Sequence, residues 1–266
     1  MRSLHATLKG TMSNQEARTT GETADGALEP AHRVPHAPLP LSDILPSDAT
    51  LIRTNESATR IHSRIDDVDI ARMEEYALLA ALLRRAPDSA LLEALSGIRG
   101  DSTQLGAAHT ALARAAEEAD GELLEREFFE LFIGVGRGEL LPYGSYYLTG
   151  FLNERPLARL RDDLRMLGIV RSEEQNEPED HAAILCEIMA GLAGGGLAVA
   201  PDAQKRLFEK HLAPWIGRFF ADLEGLKMAN FYRHVATVGR LFIDIETEAF
   251  ALPSKTSSGG SLEKTK

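Results

Sequence analysis

The sequence predicts an all-α protein of about eight to ten helices. Two observations carry that expectation. Apolar residues recur at helical spacing almost throughout residues 65–250, and no sustained period-2 run bounded by turn residues interrupts them. The 266 residues are 44% hydrophobic and 26% charged, enough apolar material for a sizeable core. No repeat of 20–50 residues is visible.

The elements follow in chain order. Met73, Tyr76, Leu79 and Leu83 share one face of a first helix, which ends at the solvated pair Arg84-Arg85. Leu124, Phe128, Leu131 and Phe132 define another face. Leu157, Leu160, Leu164 and Leu167 form a third stripe, with Pro156 at a first helical position, where a missing N–H costs nothing. Ile184, Leu185, Ile188, Met189 and Leu192 make a wide stripe closed by the glycines 194–196, a helix stop. Phe231, Val235, Val238, Phe242 and Ile245 predict a long final helix. Two stretches break the pattern: the glycine-rich 134–144 and the polar, acidic 168–178.

The ends differ in composition. Residues 1–64 lack Phe, Trp and Tyr and hold five prolines from Pro30 to Pro46, so they read as a mobile tail that buries too little apolar surface to offset ordering entropy. Residues 65–253 form the helical domain, with a hinge loop expected near 168–178. Residues 254–266 read as a second flexible tail. The chain's formal charge is −11, and its acidity belongs wholly to the domain, since the first 64 residues balance seven basic against seven acidic groups.

That acidity argues against nucleic-acid binding, which needs clustered cations. The uncharged stretch Ile188–Pro201 is too short for a membrane span, and no apolar segment follows Met1-Arg2 as a secretory signal requires. A single cysteine, Cys186, cannot form an internal disulfide. The expected location is the cytoplasm.

Catalytic machinery is not apparent. The run Gly134-x-Gly136-x-Gly138 lacks a following Lys-Ser/Thr and succeeds a helix rather than a strand, so it reads as an interhelical loop. None of the histidines in the domain has Glu three residues before it, the spacing of a bundle metal site. Cys186 lies on an apolar-faced helix and reads as packing. No serine lies in a Gly-x-Ser-x-Gly elbow. No metal, cofactor or enzymatic activity is expected. The competing reading is a bundle enzyme or weak nucleotide binder using His181 and the Gly134–Gly138 loop.

Glu177-Pro178-Glu179-Asp180-His181 has a local reading. Pro178 ends the loop, and Asp180 or Glu179 is expected to accept from the first N–H groups of the following helix. His181 is expected to be half-buried on the side of the apolar stripe. The order of motifs adds to this. Glu127-Phe-Phe-Glu-Leu-Phe-Ile-Gly134 precedes Leu141-Pro142-Tyr143-Gly144-Ser145-Tyr146-Tyr147. Pro156-Leu-Ala-Arg-Leu-Arg161, Leu167-Gly-Ile and the Glu-Pro-Glu-Asp-His element then follow.

This order, over about residues 66–250, resembles the TorD/DmsD family of chaperones that mature twin-arginine-exported molybdoenzymes. The resemblance implies an all-α fold in two helical parts joined by a hinge. It implies binding of a client's signal peptide and of its immature apo-form, with formate dehydrogenase a candidate client beside dimethyl sulfoxide and trimethylamine N-oxide reductases. The family's peptide-binding motif falls on Pro178, Asp180 and His181, and Pro142, Gly144, Ser145 and Tyr147 match its other motif. A twin-arginine leader presents two cations and then an apolar segment. Glu177, Glu179 and Asp180 could fork-bond arginines, and Tyr143, Tyr146 and Tyr147 could supply contact area. The family also implies a monomer or swapped dimer.

Overall fold

The computed structural model describes residues 66–171, 176–197, 200 and 202–252. The two expected tails and part of the expected hinge loop lie outside the described residues. Among those residues there are ten α-helices and no strand. They are α1 (Asp67–Arg84), α2 (Ser89–Ser96), α3 (Gln104–Glu117), α4 (Gly121–Phe128) and α5 (Gly144–Thr149). Then come α6 (Arg155–Met166), α7 (Ala182–Ala193), α8 (Ala203–Leu207), α9 (Ile216–Gly225) and α10 (Phe231–Ala251). Single π-turns, Phe129–Ile133 and Phe208–Leu212, continue α4 and α8. No helix among the described residues is long and apolar enough to cross a membrane.

Local chemistry starts most of the helices. Asp66, Asp88, Thr103 and Asp120 sit at the N-caps of α1 to α4, and each side chain accepts from a backbone N–H of its first turn. The long helix α10 has no cap from its own sequence. Glu127, on α4, supplies one instead: Oε1 accepts from the N–H of Asn230 at 2.8 Å and of Tyr232 at 2.9 Å, and Oε2 from Phe231. Pro156 occupies the second position of α6, after Arg155, where its missing N–H is equally harmless. Gly194 ends α7, as the glycine cluster predicts.

α1 packs along α7, α10 lies against α3 and α9, and α2 packs on α3. The core runs through these helices and centres on Tyr76, Leu79, Leu82, Cys186, Met189, Trp215, Phe219, Phe220 and Tyr232, all 2% exposed or less. Gly239 permits the close approach of α9 and α10: a Cβ there would lie 2.4 Å from the Phe220 ring. The stripes of α6 and α7 are buried as predicted, except that Leu167 is partly exposed. The stripe of α10 is corrected at one position. Ile245 is 48% exposed, whereas Glu246 beside it is 1% exposed. Apolar periodicity cannot signal a carboxylate facing inward, and the final turns of α10 are held by charge rather than by aliphatic packing.

Arg84 ends α1 and pairs with Glu187 of α7, so the predicted solvated end is half tethered. A second cross-helix pair links Glu75 on α1 to His109 on α3, with Nε2 3.0 Å from a carboxylate oxygen. Burial alone would lower the His109 pKa, but the Glu75 hydrogen bond and charge more than offset it and raise it above its usual value. A raised pKa means the folded state holds the proton more tightly. The stabilisation is therefore complete below about pH 6.5 and is lost as pH rises through the folded pKa. Denaturant unfolding of the wild type and His109→Gln should converge as pH rises from 6 to 9. A difference independent of pH would show that the imidazolium contributes nothing.

Candidate functional site

The two loops singled out by sequence meet. Tyr143 and His181 form an isolated antiparallel bridge. The Gly144 N–H donates to Asp180 O at 2.9 Å and the Ala182 N–H to Pro142 O at 2.8 Å. The Tyr143 ring stands edge-on to the His181 imidazole, with centroids 5.0 Å apart. Residues 36 to 40 apart in sequence are thereby stitched side by side, with α5 and α7 leaving the junction from adjacent N-termini.

Asp180 is 3% exposed. Its Oδ2 accepts from the Ser145 N–H at 2.7 Å. It therefore caps α5, a helix earlier in the chain, and the expectation that Asp180 or Glu179 caps the following helix is corrected. His181 caps that helix itself: its Nδ1 accepts from the Ala183 N–H at 3.1 Å. An acceptor Nδ1 is unprotonated, so the imidazole is neutral with its proton on Nε2. Burial, and secondarily the positive charge of Arg84, push its pKa down to about 3. His181 is buried rather than half-buried. A histidine held neutral so far below its usual pKa is a poor general base at neutral pH.

The flanking carboxylates are engaged within the chain. Tyr143 Oη donates to Glu177 at 2.5 Å, and burial, then the Glu177 contact, raise the tyrosine pKa well above its usual value. Arg161 of α6 donates to Glu179 at 2.8 Å and, against the opposing effect of burial, lowers the Glu179 pKa. Pro178 accepts the His181 N–H and closes the turn. Tyr147 donates to Asp222 at 3.1 Å, lies under the Arg218 guanidinium and packs beside Trp215 and Phe219. Tyr146 meets Arg137 of the glycine loop as a cation–π pair at 5.8 Å. Pro142, Gly144 and Ser145 are buried. Gly144 must lack a side chain, because a Cβ would press on the Trp215 indole at 3.0 Å.

Beside this junction runs an open groove of about 390 Å³, between α6 and the π-turn after α8. Gly144, Leu148, Pro156 and Asp180 line it, and Asp163 and His211 line it opposite each other's chain segments. His211 Nε2 lies 2.7 Å from Asp163, and Trp215 Nε1 donates to His211 O at 2.7 Å. The π-turn frees that carbonyl from the helix ladder. Sequence reasoning missed Asp163, His211 and Trp215, because no short-range pattern links α6 to the π-turn. Two buried side-chain atoms at the junction have no hydrogen-bond partner among the described residues: Asp180 Oδ1 and Ser145 Oγ. No group of three or more His, Cys, Asp or Glu with metal-binding geometry occurs among the described residues. The Gly134–Gly138 loop turns on positive φ angles at Gly134 and Gly136, directly after the first π-turn.

A profile of the family described as nitrate reductase delta subunit matches residues 99–221, which include both loops and the groove. The chaperone protein TorD of Vibrio cholerae serotype O1 (strain ATCC 39541) is 32% identical over 143 residues, which are 50% of this chain and 65% of that protein. The chaperone protein TorD of Vibrio atlanticus is 26% identical over 152 residues, 53% of this chain and 71% of that one. The chain thus spans about two thirds of the length of these relatives. A crystal structure named as that of a candidate redox enzyme maturation protein from Archaeoglobus fulgidus aligns with a TM-score of 0.46 at 21% identity, over 65% of this chain and 93% of that one. Over about half its length the chain is thus similar to the chaperone proteins named TorD, and over residues 99–221 to the family described as nitrate reductase delta subunit.

Proposed function

We propose that this protein is a non-catalytic chaperone for a molybdoenzyme. It binds the twin-arginine signal peptide and the immature apo-form of its client in the cytoplasm, holding both until the cofactor is inserted and export is safe. Formate dehydrogenase is the first client to test. The observation that carries the reading is the unpaired Asp180 Oδ1. A buried carboxyl oxygen without a partner costs folding free energy, on the order of 1–3 kcal/mol, and such a cost is retained where a ligand removes it. Here the oxygen belongs to a residue lining an open groove, and a guanidinium donor entering that groove would satisfy it with a charge-assisted hydrogen bond. The neighbouring Glu177 and Glu179, already held by Tyr143 and Arg161, shape the acidic approach and keep the loop in place.

Asp180→Asn separates binding from folding. The amide oxygen can still accept from the Ser145 N–H, so α5 stays capped, but the second oxygen is replaced by a donor that repels a guanidinium. In calorimetric titration with the cognate twin-arginine leader, this variant should lose about 1.5–3 kcal/mol of binding free energy, roughly ten- to a hundredfold in Kd. Its thermal melting should change little. Wild-type affinity should weaken as salt rises, since the approach is charged. Unchanged affinity in Asp180→Asn, with only a lowered melting temperature, would show that the motif is purely structural.

A further inference from the structure

We propose that Asp163 is a clasp across a trough running the length of α6, which closes over a bound client segment and sets how fast that segment enters and leaves; the inference rests on the reading above. A second groove, of about 460 Å³, continues the first. On the α6 side the first is lined by Pro156 and Arg159, and the second by Met166 and Leu167. On the facing side the order is reversed, with His211 at the first and Leu207 and Ala203 at the second. Asp163 and Lys210 line both. The two grooves are therefore halves of one trough between antiparallel walls, and a side-chain contact divides them. From α6, Asp163 reaches across to His211 Nε2 at 2.7 Å and to Lys210 Nζ at 3.1 Å.

The contact is built to open. The Lys210 side chain is 58% exposed and that of Asp163 21%, and such pairs hold weakly in water. Burial would raise the Asp163 pKa, but its hydrogen bonds to His211 and Lys210 outweigh that and hold it below the usual value, so the carboxylate is charged at neutral pH. α6 lies between two turns on positive φ, Asn153 at +59° and Gly168 at +73°, which give the helix pivots at both ends. The facing wall is the π-turn, whose His211 carbonyl is held by Trp215 Nε1. Shut, each half takes about two or three extended residues; open, the trough from Pro156 to Leu167 is roughly 17 Å long and takes about five. A segment anchored at Asp180 extends past the first half only under the clasp. Such a gate slows entry and exit alike.

Stopped-flow rates with a fluorescein-labelled cognate twin-arginine leader test this. Asp163→Asn should raise both kon and koff about five- to tenfold, the range for releasing one or two partly exposed ion pairs, and leave Kd within about threefold. The sign of the kon change decides. An ordinary acidic contact steers a cationic peptide inward, so its loss slows association, whereas an opened clasp speeds it. His211→Ala removes the clasp from the opposite wall, keeps the charge of Asp163, and should also accelerate both rates. Asp180→Asn should raise koff and not kon. Without peptide, the chain's single tryptophan, Trp215, reports on the clasp. It is 2% exposed and donates to His211 O, so its quenching by acrylamide should rise at least about twofold in Asp163→Asn, with thermal melting showing that the variant is folded. If Asp163→Asn associates no faster than wild type, the clasp is overturned and the groove reading stands. If wild type does not bind the leader, the groove reading falls; unchanged quenching in Asp163→Asn then overturns the clasp with it, and raised quenching supports a clasp that closes over a different occupant.

Discussion

Replacing Glu246 by Ala is expected to cost about 3–5 kcal/mol of folding stability, a large share of the 5–15 kcal/mol typical of a domain. Glu246 is 1% exposed and receives three donors. Arg72 grips it with both arms of the guanidinium, Nε at 2.7 Å and Nη2 at 2.8 Å, and Tyr76 Oη donates at 2.8 Å. The remaining Arg72 nitrogen, Nη1, reaches Asp69 and Gln204, and Gln204 Nε2 donates to Leu192 O. One carboxylate therefore ties α10 to α1, and through Arg72 to α8 and α7. The guanidinium also lies over the Phe250 ring at 4.9 Å. Burial opposes the charge on Arg72, yet its hydrogen bond to Glu246 and their mutual attraction hold its pKa above the usual value. Removing Glu246 leaves a half-buried cation and a buried phenol without an acceptor, and that loss sets the size of the effect. The double change Arg72→Met/Glu246→Leu removes charge and counter-charge together and should recover much of the lost stability. Urea unfolding measures both, and a loss below about 1 kcal/mol in Glu246→Ala would show that water readily replaces the carboxylate.

The second large effect is acid destabilisation through His181. Its pKa of about 3 in the fold, set first by burial and then by Arg84, compares with about 6.5 unfolded. Below pH 6.5 the unfolded chain binds a proton that the folded chain refuses. Stability contributed by neutral His181 is thus present above pH 6.5 and is lost as pH falls toward 3, at about 1.4 kcal/mol per pH unit. At pH 5 the loss is about 2 kcal/mol. Asp163, Glu179 and Glu224, whose pKa values are lowered, add acid sensitivity of their own at lower pH. His181→Asn isolates the histidine, because an Asn at the N-cap still accepts from the Ala183 N–H but does not titrate. The stability difference between wild type and His181→Asn should change by about 1.4 kcal/mol per unit between pH 6 and pH 4 and level off above pH 7. A difference constant across that range would place the histidine in water in the folded state.

Because this destabilisation acts at the α5–α7 junction, it bears on the proposed binding site as well. Protonating His181 would break the Nδ1 contact that starts α7, next to the residue proposed to meet the client. The neutral imidazole is therefore part of the site's architecture rather than a reagent.

What the sequence determined by itself was local. Helical periodicity followed from side chains that must share one face, so the faces of α1, α4, α6, α7 and most of α10 were legible before any contact was known. Glycine after α7 and proline in the first turn of α6 act through their own backbone and read correctly to within a residue. The segments 142–147 and 177–181 stood out through their order along the chain, and the fold bridges them. What only the tertiary structure decided was which group pairs with which. Asp180 caps α5 rather than the helix it precedes, and Glu127 caps α10 from about a hundred residues away. A carboxylate accepts any correctly placed N–H, and placement depends on packing that sequence spacing does not encode. For the same reason Ile245 points to water while Glu246 is buried: its donors come from a helix some 170 residues earlier. The groove likewise arises where α6, the junction and a π-turn converge, so its empty carboxyl oxygen is a property of three segments and of none alone.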